Sequence, residues 1–259
     1  MSDYLTTLFG LEGKVVALTG AGGYLIGEMA RALGRAGVRV AVLDANLDNA
    51  QRTAREITDA GGEAIALALD VRSKEAHVEV LAAVLKRFGR LDGAVLGAGI
   101  NAPTPFLDIT VDEWNNILAV QLTGTMLGCQ VFGGYLVEQK RGSIITISSA
   151  SAGPPLSKAF TYSAAKAAIK NLTQNVAREW ATSNVRVNAL RPGFFPTEWS
   201  MKHFITPERE AAILGHTAMK RYGQPSELVG AVLWLLSDAA GFVTGAEIAV
   251  DGGFSAMSI

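Results

Sequence analysis

One cysteine, Cys129, among 259 residues leaves no internal disulfide to be made. An excess of charge of either sign is also missing. With 23 basic and 24 acidic residues the formal charge is −1, and no run of like charge occurs, so neither nucleic acid nor an anionic membrane is favoured as a partner. A neutral or small charged ligand stays open. Histidine is scarce, and the spacing of His77, His203 and His216 matches no zinc motif, so a metal is not expected. The amino terminus, MSDYLTTLFGLEGK, has neither the basic start nor the apolar core of a signal peptide. The cytoplasm is the expected location. No apolar run is expected to reach the ~18 to 20 uncharged residues that cross a bilayer.

What is present is a large apolar fraction, 49% against 18% charged, which suits a sheet covered on both faces. Short β-branched runs alternate with segments of helical period, the mark of a parallel sheet wound with helices. KVVALT, VRVAVLD, AIALALD, LDGAVLGAG, SIITISS, VRVNAL and EIAVDGG read as seven strands. A helix is expected from about Gly27 to Gly37 and another from about Leu47. The fold class is therefore α/β, a doubly wound Rossmann-type seven-stranded parallel sheet with helices on both faces, in one domain spanning 1–259. The irregular stretch from about Gly193 to Gln224 breaks any clean period; it reads as a substrate lid or as a surface excursion.

Two stretches carry chemistry. TGAGGYLIG, Thr19 to Gly27, follows the first strand and opens a helix, where glycines let backbone N–H groups approach a pyrophosphate. Asp44 ends the second strand, where a carboxylate can accept hydrogen bonds from an adenosine ribose. In FTYSAAKAAI, Tyr162 and Lys166 stand one helical turn apart on one face. A nearby ammonium favours a phenolate, although the same spacing suits an amphipathic helix with a half-buried tyrosine and a solvated lysine.

With Ser149 upstream of Tyr162 and Lys166, and with LALDV, GAG at Gly97 to Gly99, YSAAK, RVNALRPGFFPTE and VTGAEIAVDGGF, the chain resembles the short-chain dehydrogenase/reductase family over nearly its whole length. Within it the long glycine turn, PGFFPTE and VDGGFSA are most similar to fructuronate (D-mannonate) oxidoreductases. The resemblance implies a nicotinamide cofactor, held by Gly20, Gly23, Leu25, Ile26, Asp44, Asp70, Val71, Ala98, Gly99, Tyr162, Lys166, Pro192 and Thr197. It implies that Tyr162 exchanges a proton with a carbinol or carbonyl oxygen, that Ser149 holds this oxygen, and that Lys166 bonds the nicotinamide ribose. A homotetramer is implied as well. Asp44, with no cation in the glycine turn, points to NAD rather than NADP. Lys158, between Ser149 and Tyr162, is a candidate for a substrate carboxylate or a solvated loop residue.

Three departures from the family pattern stand out. Leu96 replaces an asparagine on the fourth strand, Ile26 replaces a glycine of the long turn, and Gln121 replaces the catalytic asparagine that supports the lysine through water. The expected activity is hydride transfer between the cofactor and a secondary alcohol or ketone of a sugar acid or polyol. The alternatives are a 3-oxoacyl carrier-protein reductase and a cofactor-binding pseudoenzyme.

Overall fold

A computed structural model of the chain describes residues 3–197, 201–202 and 205–257. Seven parallel strands form one sheet in the order β3-β2-β1-β4-β5-β6-β7. They are β1 Val15–Thr19, β2 Arg39–Asp44, β3 Ala64–Ala68, β4 Gly93–Leu96, β5 Gly142–Ile147, β6 Val185–Pro192 and β7 Glu247–Val250. The helices are α1 Asp3–Phe9, α2 Tyr24–Arg35, α3 Leu47–Asp59, α4 Lys74–Phe88, α5 Val111–Glu138, α6 Phe160–Trp180, α7 Pro207–Gly215 and α8 Val229–Leu236.

Apolar residues on both strand faces explain the layering. In β1, Val16 and Leu18 join one buried cluster with Met29 and Leu33 of α2 and Leu235 of α8. Val15 and Ala17 join the other, with Val84 of α4 and Phe132 of α5. Each face therefore needs its own cover of helix, which is the condition for an all-parallel sheet. Caps mark the helix starts: Asn46 accepts from the Asn49 N–H and Ser73 from the Ala76 N–H.

The strand order reverses between β1 and β4, whose registers align Thr19 with Leu96. The carboxyl ends of these strands open a crevice, and such a switch point is where doubly wound sheets bind ligands.

The structure departs from the sequence expectations in three elements. Helix α2 begins at Tyr24, three residues before the expected Gly27, because Gly23 adopts the extended backbone of an N-cap and the chain turns into helix there. Helix α1 is an addition to the expected elements. Contrary to the absence inferred from sequence, α5 is long and apolar enough by composition to cross a membrane. Its length is accounted for by burial, since Leu127, Val131, Phe132 and Leu136 all sit in the packed interior.

Candidate active site

A cleft of about 740 Å³ lies at the switch point, walled by the ends of β1 to β5, the start of α2 and the face of α6 that carries Tyr162 and Lys166. Of the cofactor residues expected from the sequence, only Pro192 is missing from its wall; it ends β6 as a buried ladder residue opposite Val250. Gly20 makes the turn possible. Its φ is +74°, and a Cβ there would lie 2.8 Å from Ala98 Cα. Helix α2 then starts with no side-chain cap and no acidic residue in its first turn. Its leading N–H groups and the positive end of its dipole suit an anionic group such as a pyrophosphate.

Asp44 is held on both oxygens: Oδ2 accepts the Gly22 N–H at 3.0 Å and Oδ1 the Asn46 N–H at 2.9 Å. This pins the carboxylate beside the glycine turn with lone pairs left for ribose hydroxyls. The sequence shows no cation near this position, and the structure corrects that expectation. Arg52 of α3 donates to the Gly22 carbonyl at 3.1 Å, so a guanidinium borders the same end of the cleft. Arg39 does lie at the far end of β2, donating to the Gly13 carbonyl at 2.7 Å. Asp70 lines the cleft while paired with Arg72 at 2.7 Å, which holds its carboxyl below the usual range.

Tyr162 and Lys166 share one face of α6, with Lys166 Nζ 5.3 Å from the centre of the phenol ring. Lys166 is 3% exposed and donates to the Ile147 carbonyl at 2.8 Å. Burial pushes its ammonium down to about 7. Burial also raises the Tyr162 phenol, partly offset by a hydrogen bond with the Ser149 hydroxyl. Burial thus works against the phenolate that a charged lysine would favour. Desolvation drives both groups toward their neutral forms.

Ser149 is not on the cleft wall but stands beside Tyr162; its Oγ accepts the Ser151 N–H at 3.2 Å. Gln121 lies on a π turn of α5 that spans Ala119–Thr123, a local widening common at functional sites. Its Nε2 donates to the Ile100 carbonyl at 2.7 Å, while Oε1 is buried with no hydrogen-bond partner among the described residues. The longer amide therefore bridges to the strand end that carries Gly99. Lys158 is not brought into the cleft. It sits on an exposed turn with φ +55°, and Arg209 of α7 reaches the neighbouring Ser157.

The two apolar departures are matched by neighbours. Leu96 is 3% exposed and packs against Gly128 of α5, filling space rather than bonding. Ile26 lies over Gly97, where an added Cβ would run into Ile26 Cδ1. A side chain at position 97 would force Ile26 to move. His77 is fully buried against Phe132, and His216 packs edge-on to Phe254; neither lines the cleft. His203, with Trp199 and Phe204 near it in sequence, lies outside the described residues.

A glycine turn feeding an uncapped helix, a strand-end aspartate and a Tyr–Lys pair in one crevice define a dinucleotide-binding oxidoreductase. Known proteins agree. A family model described as enoyl-(acyl carrier protein) reductase matches residues 26–255. Uncharacterized oxidoreductase UxuB of Bacillus subtilis (strain 168) is 38% identical, over 96% of this chain and 97% of that protein. Short chain dehydrogenase/reductase astE of Aspergillus oryzae is also 38% identical, over 95% and 97%. Among solved structures, a Haemophilus influenza protein designated D-mannonate oxidoreductase, with bound NAD, matches with TM-score 0.88 and 35% identity over 96% of this chain and 97% of that one. A gluconate 5-dehydrogenase from Burkholderia cenocepacia J2315, in complex with NADP and tartrate, matches with TM-score 0.91 and 28% identity over 97% and 100%. The chain belongs to the short-chain dehydrogenase/reductase family and is an NAD(P)-dependent oxidoreductase of an alcohol/ketone pair.

Proposed function

We propose that the protein interconverts a secondary alcohol and a ketone on a sugar acid, with NAD(H) preferred. The observation that carries this reading is the convergence of Asp44, Tyr162 and Lys166 on one cleft. Sugar acids are supported by the two solved relatives named for gluconate and D-mannonate. The nicotinamide, when bound, supplies or accepts the hydride. Tyr162 gives its phenolic proton to the ketone oxygen in reduction and takes the carbinol proton in oxidation, and the Ser149 hydroxyl holds that oxygen. Burial that keeps Tyr162 protonated suits the donating direction. Lys166 binds the nicotinamide ribose, and Gln121 anchors the Gly99 turn through Ile100. Positive charge brought by an oxidised ring would shift Tyr162 toward the phenolate that oxidation requires. A homotetramer in the cytoplasm is part of the same reading, supported by the family resemblance and tested by light scattering.

The test is nicotinamide absorbance against a panel of sugar acids, polyols and 3-oxoacyl thioesters. Turnover should be fastest on a sugar acid, and Tyr162→Phe should lose at least about 10²-fold while still binding cofactor. Faster turnover of the thioesters would overturn the substrate class. Substantial activity in Tyr162→Phe would remove the proton-transfer role.

A further inference from the structure

Strands β6 and β7 each place one charged residue in the same small region beneath the Ser149 turn. Arg191 lies opposite Ala249, and Glu247 opposite Ala189, so the two are diagonal neighbours on one face of the sheet. Arg191 Nη1 donates to Glu247 Oε2 at 3.2 Å, with the side chains 11% and 12% exposed. The remaining bonds of this pair are informative. The Ser148 hydroxyl donates to Glu247 Oε1 at 2.7 Å, and Arg191 Nη2 donates to the Ala150 carbonyl at 3.3 Å. One ion pair thus holds the side chain of the residue before Ser149 and the backbone of the residue after it.

Between these anchors the chain makes a tight turn, with the Ser149 carbonyl accepting the Ala152 N–H at 2.9 Å. The turn then passes directly over the guanidinium. A Cβ on Gly153 would lie 2.5 Å from Arg191 Nη2, so the arginine occupies the space a side chain there would take. Lys170 also reaches Glu247 Oε2 at 3.2 Å, but its side chain is 41% exposed and touches neither neighbour of Ser149.

We propose that the Arg191–Glu247 pair is a positioning device for Ser149: it brackets the serine from both sides and fixes the hydroxyl beside Tyr162. This rests on the reading that Ser149 holds the substrate oxygen. A hydroxyl that must meet a reacting oxygen loses its value with small displacements, on the order of 10²-fold in rate for about 1 Å. Sites are precise only where supporting residues lock them. Arg191 and Glu247 are positioning residues, since they act through the turn and not on the substrate.

The experiment compares Glu247→Gln, Arg191→Met and Ser148→Ala with Lys170→Ala, each in the full chain. Hydrogen exchange of the segment 148–153 should speed up roughly tenfold or more in the first three, with the rest of the sheet unchanged and Lys170→Ala like the native protein. The kcat of Glu247→Gln on the best panel substrate should fall by on the order of 10²-fold. Ser149→Ala should then add little in that background, because the two changes remove one function. Exchange that is unchanged at 148–153, or that rises equally throughout the sheet, overturns the proposal, as does full additivity with Ser149→Ala. Should Arg191→Met fail to fold, Ser148→Ala still removes one arm without stranding a charge. A native protein inactive on the whole panel would refute the sugar-acid reading, while the exchange result would still decide the bracket.

Discussion

Lys166 should make the cofactor-free protein more stable as pH rises above neutrality, the reverse of what a well-paired lysine does. Its ammonium is 3% exposed, and burial takes it from an ordinary value of 10.5 to about 7. Between those values the unfolded chain holds a proton that the folded chain has released, so the unfolded state binds more protons and stability increases with pH. A tenfold weaker hold on the proton corresponds to about 1.4 kcal/mol, so the buried ammonium costs the fold a few kcal/mol at low pH. The Ile147 carbonyl, at 2.8 Å, is the hydrogen bond that keeps the cost from being larger. Removing the group with Lys166→Met removes the linkage. Urea unfolding of both proteins at several pH values from about 6 to 9 isolates it, because groups away from Lys166 cancel in the difference and the raised Tyr162 phenol stays protonated across this range. Lys166→Met should be the more stable near pH ~6, with its advantage shrinking by up to about 1.4 kcal/mol for each step of one in pH between roughly 7 and 9. Parallel stability curves would show that the lysine stays charged in the fold and that desolvation does not govern it.

Other outcomes follow from the same geometry. Asp44→Ala should narrow a native preference for NAD(H) over NADP(H) by on the order of 10² in kcat/KM, since the like-charge clash with a 2′-phosphate is gone and Arg52 remains nearby. A native preference for NADP(H) would remove Asp44 from that role. Gly97→Ala should cost about 1–3 kcal/mol by forcing a methyl against Ile26, and should cost less once Ile26→Ala has removed that contact, the Thr19 carbonyl still lying 3.3 Å from the added methyl. Thermal denaturation of the four proteins in that cycle decides it, and additive losses would refute the contact. Cys129 is 3% exposed with its thiol pushed up to about 12, so thiol reagents should leave it unmodified until the protein is unfolded.

The strands are legible in the sequence because burial on both faces leaves a continuous apolar run, as in β1 and β4, where every residue is buried. Asp44 is legible for a local reason as well, since it ends a strand that follows a glycine turn. Residues whose role depends on a distant partner are not. Arg52 reaches Gly22 only because α3 packs beside α2, and no spacing in the sequence states that packing. Arg191 and Glu247 stand 56 positions apart. The expected sixth strand, VRVNAL, stops short of Arg191, and β6 also carries Arg186, so nothing in the sequence singles out Arg191 as the partner of Glu247. The pKa directions at Tyr162 and Lys166 do not follow from the sequence, which gives the spacing of two groups but not how much water surrounds them.

The departures from the family pattern bear on whether this is a working enzyme or a remnant, and contacts separate the two cases. A decaying cleft accumulates changes that leave neighbours unadjusted. Here Leu96 meets Gly128, and Ile26 meets Gly97, so each bulky replacement faces a residue with no side chain to obstruct it. Gln121 spans the extra methylene by bonding the Ile100 carbonyl at 2.7 Å. Its Oε1 is buried on the cleft wall and accepts no hydrogen bond among the described residues. Beneath Ser149 the Arg191–Glu247 pair fastens the residues on both sides of the serine, with Arg191 Nε unpartnered among the described residues. Each bulky departure thus lies against a glycine that makes room for it, which is the packing of an intact cleft and not of a collapsed one.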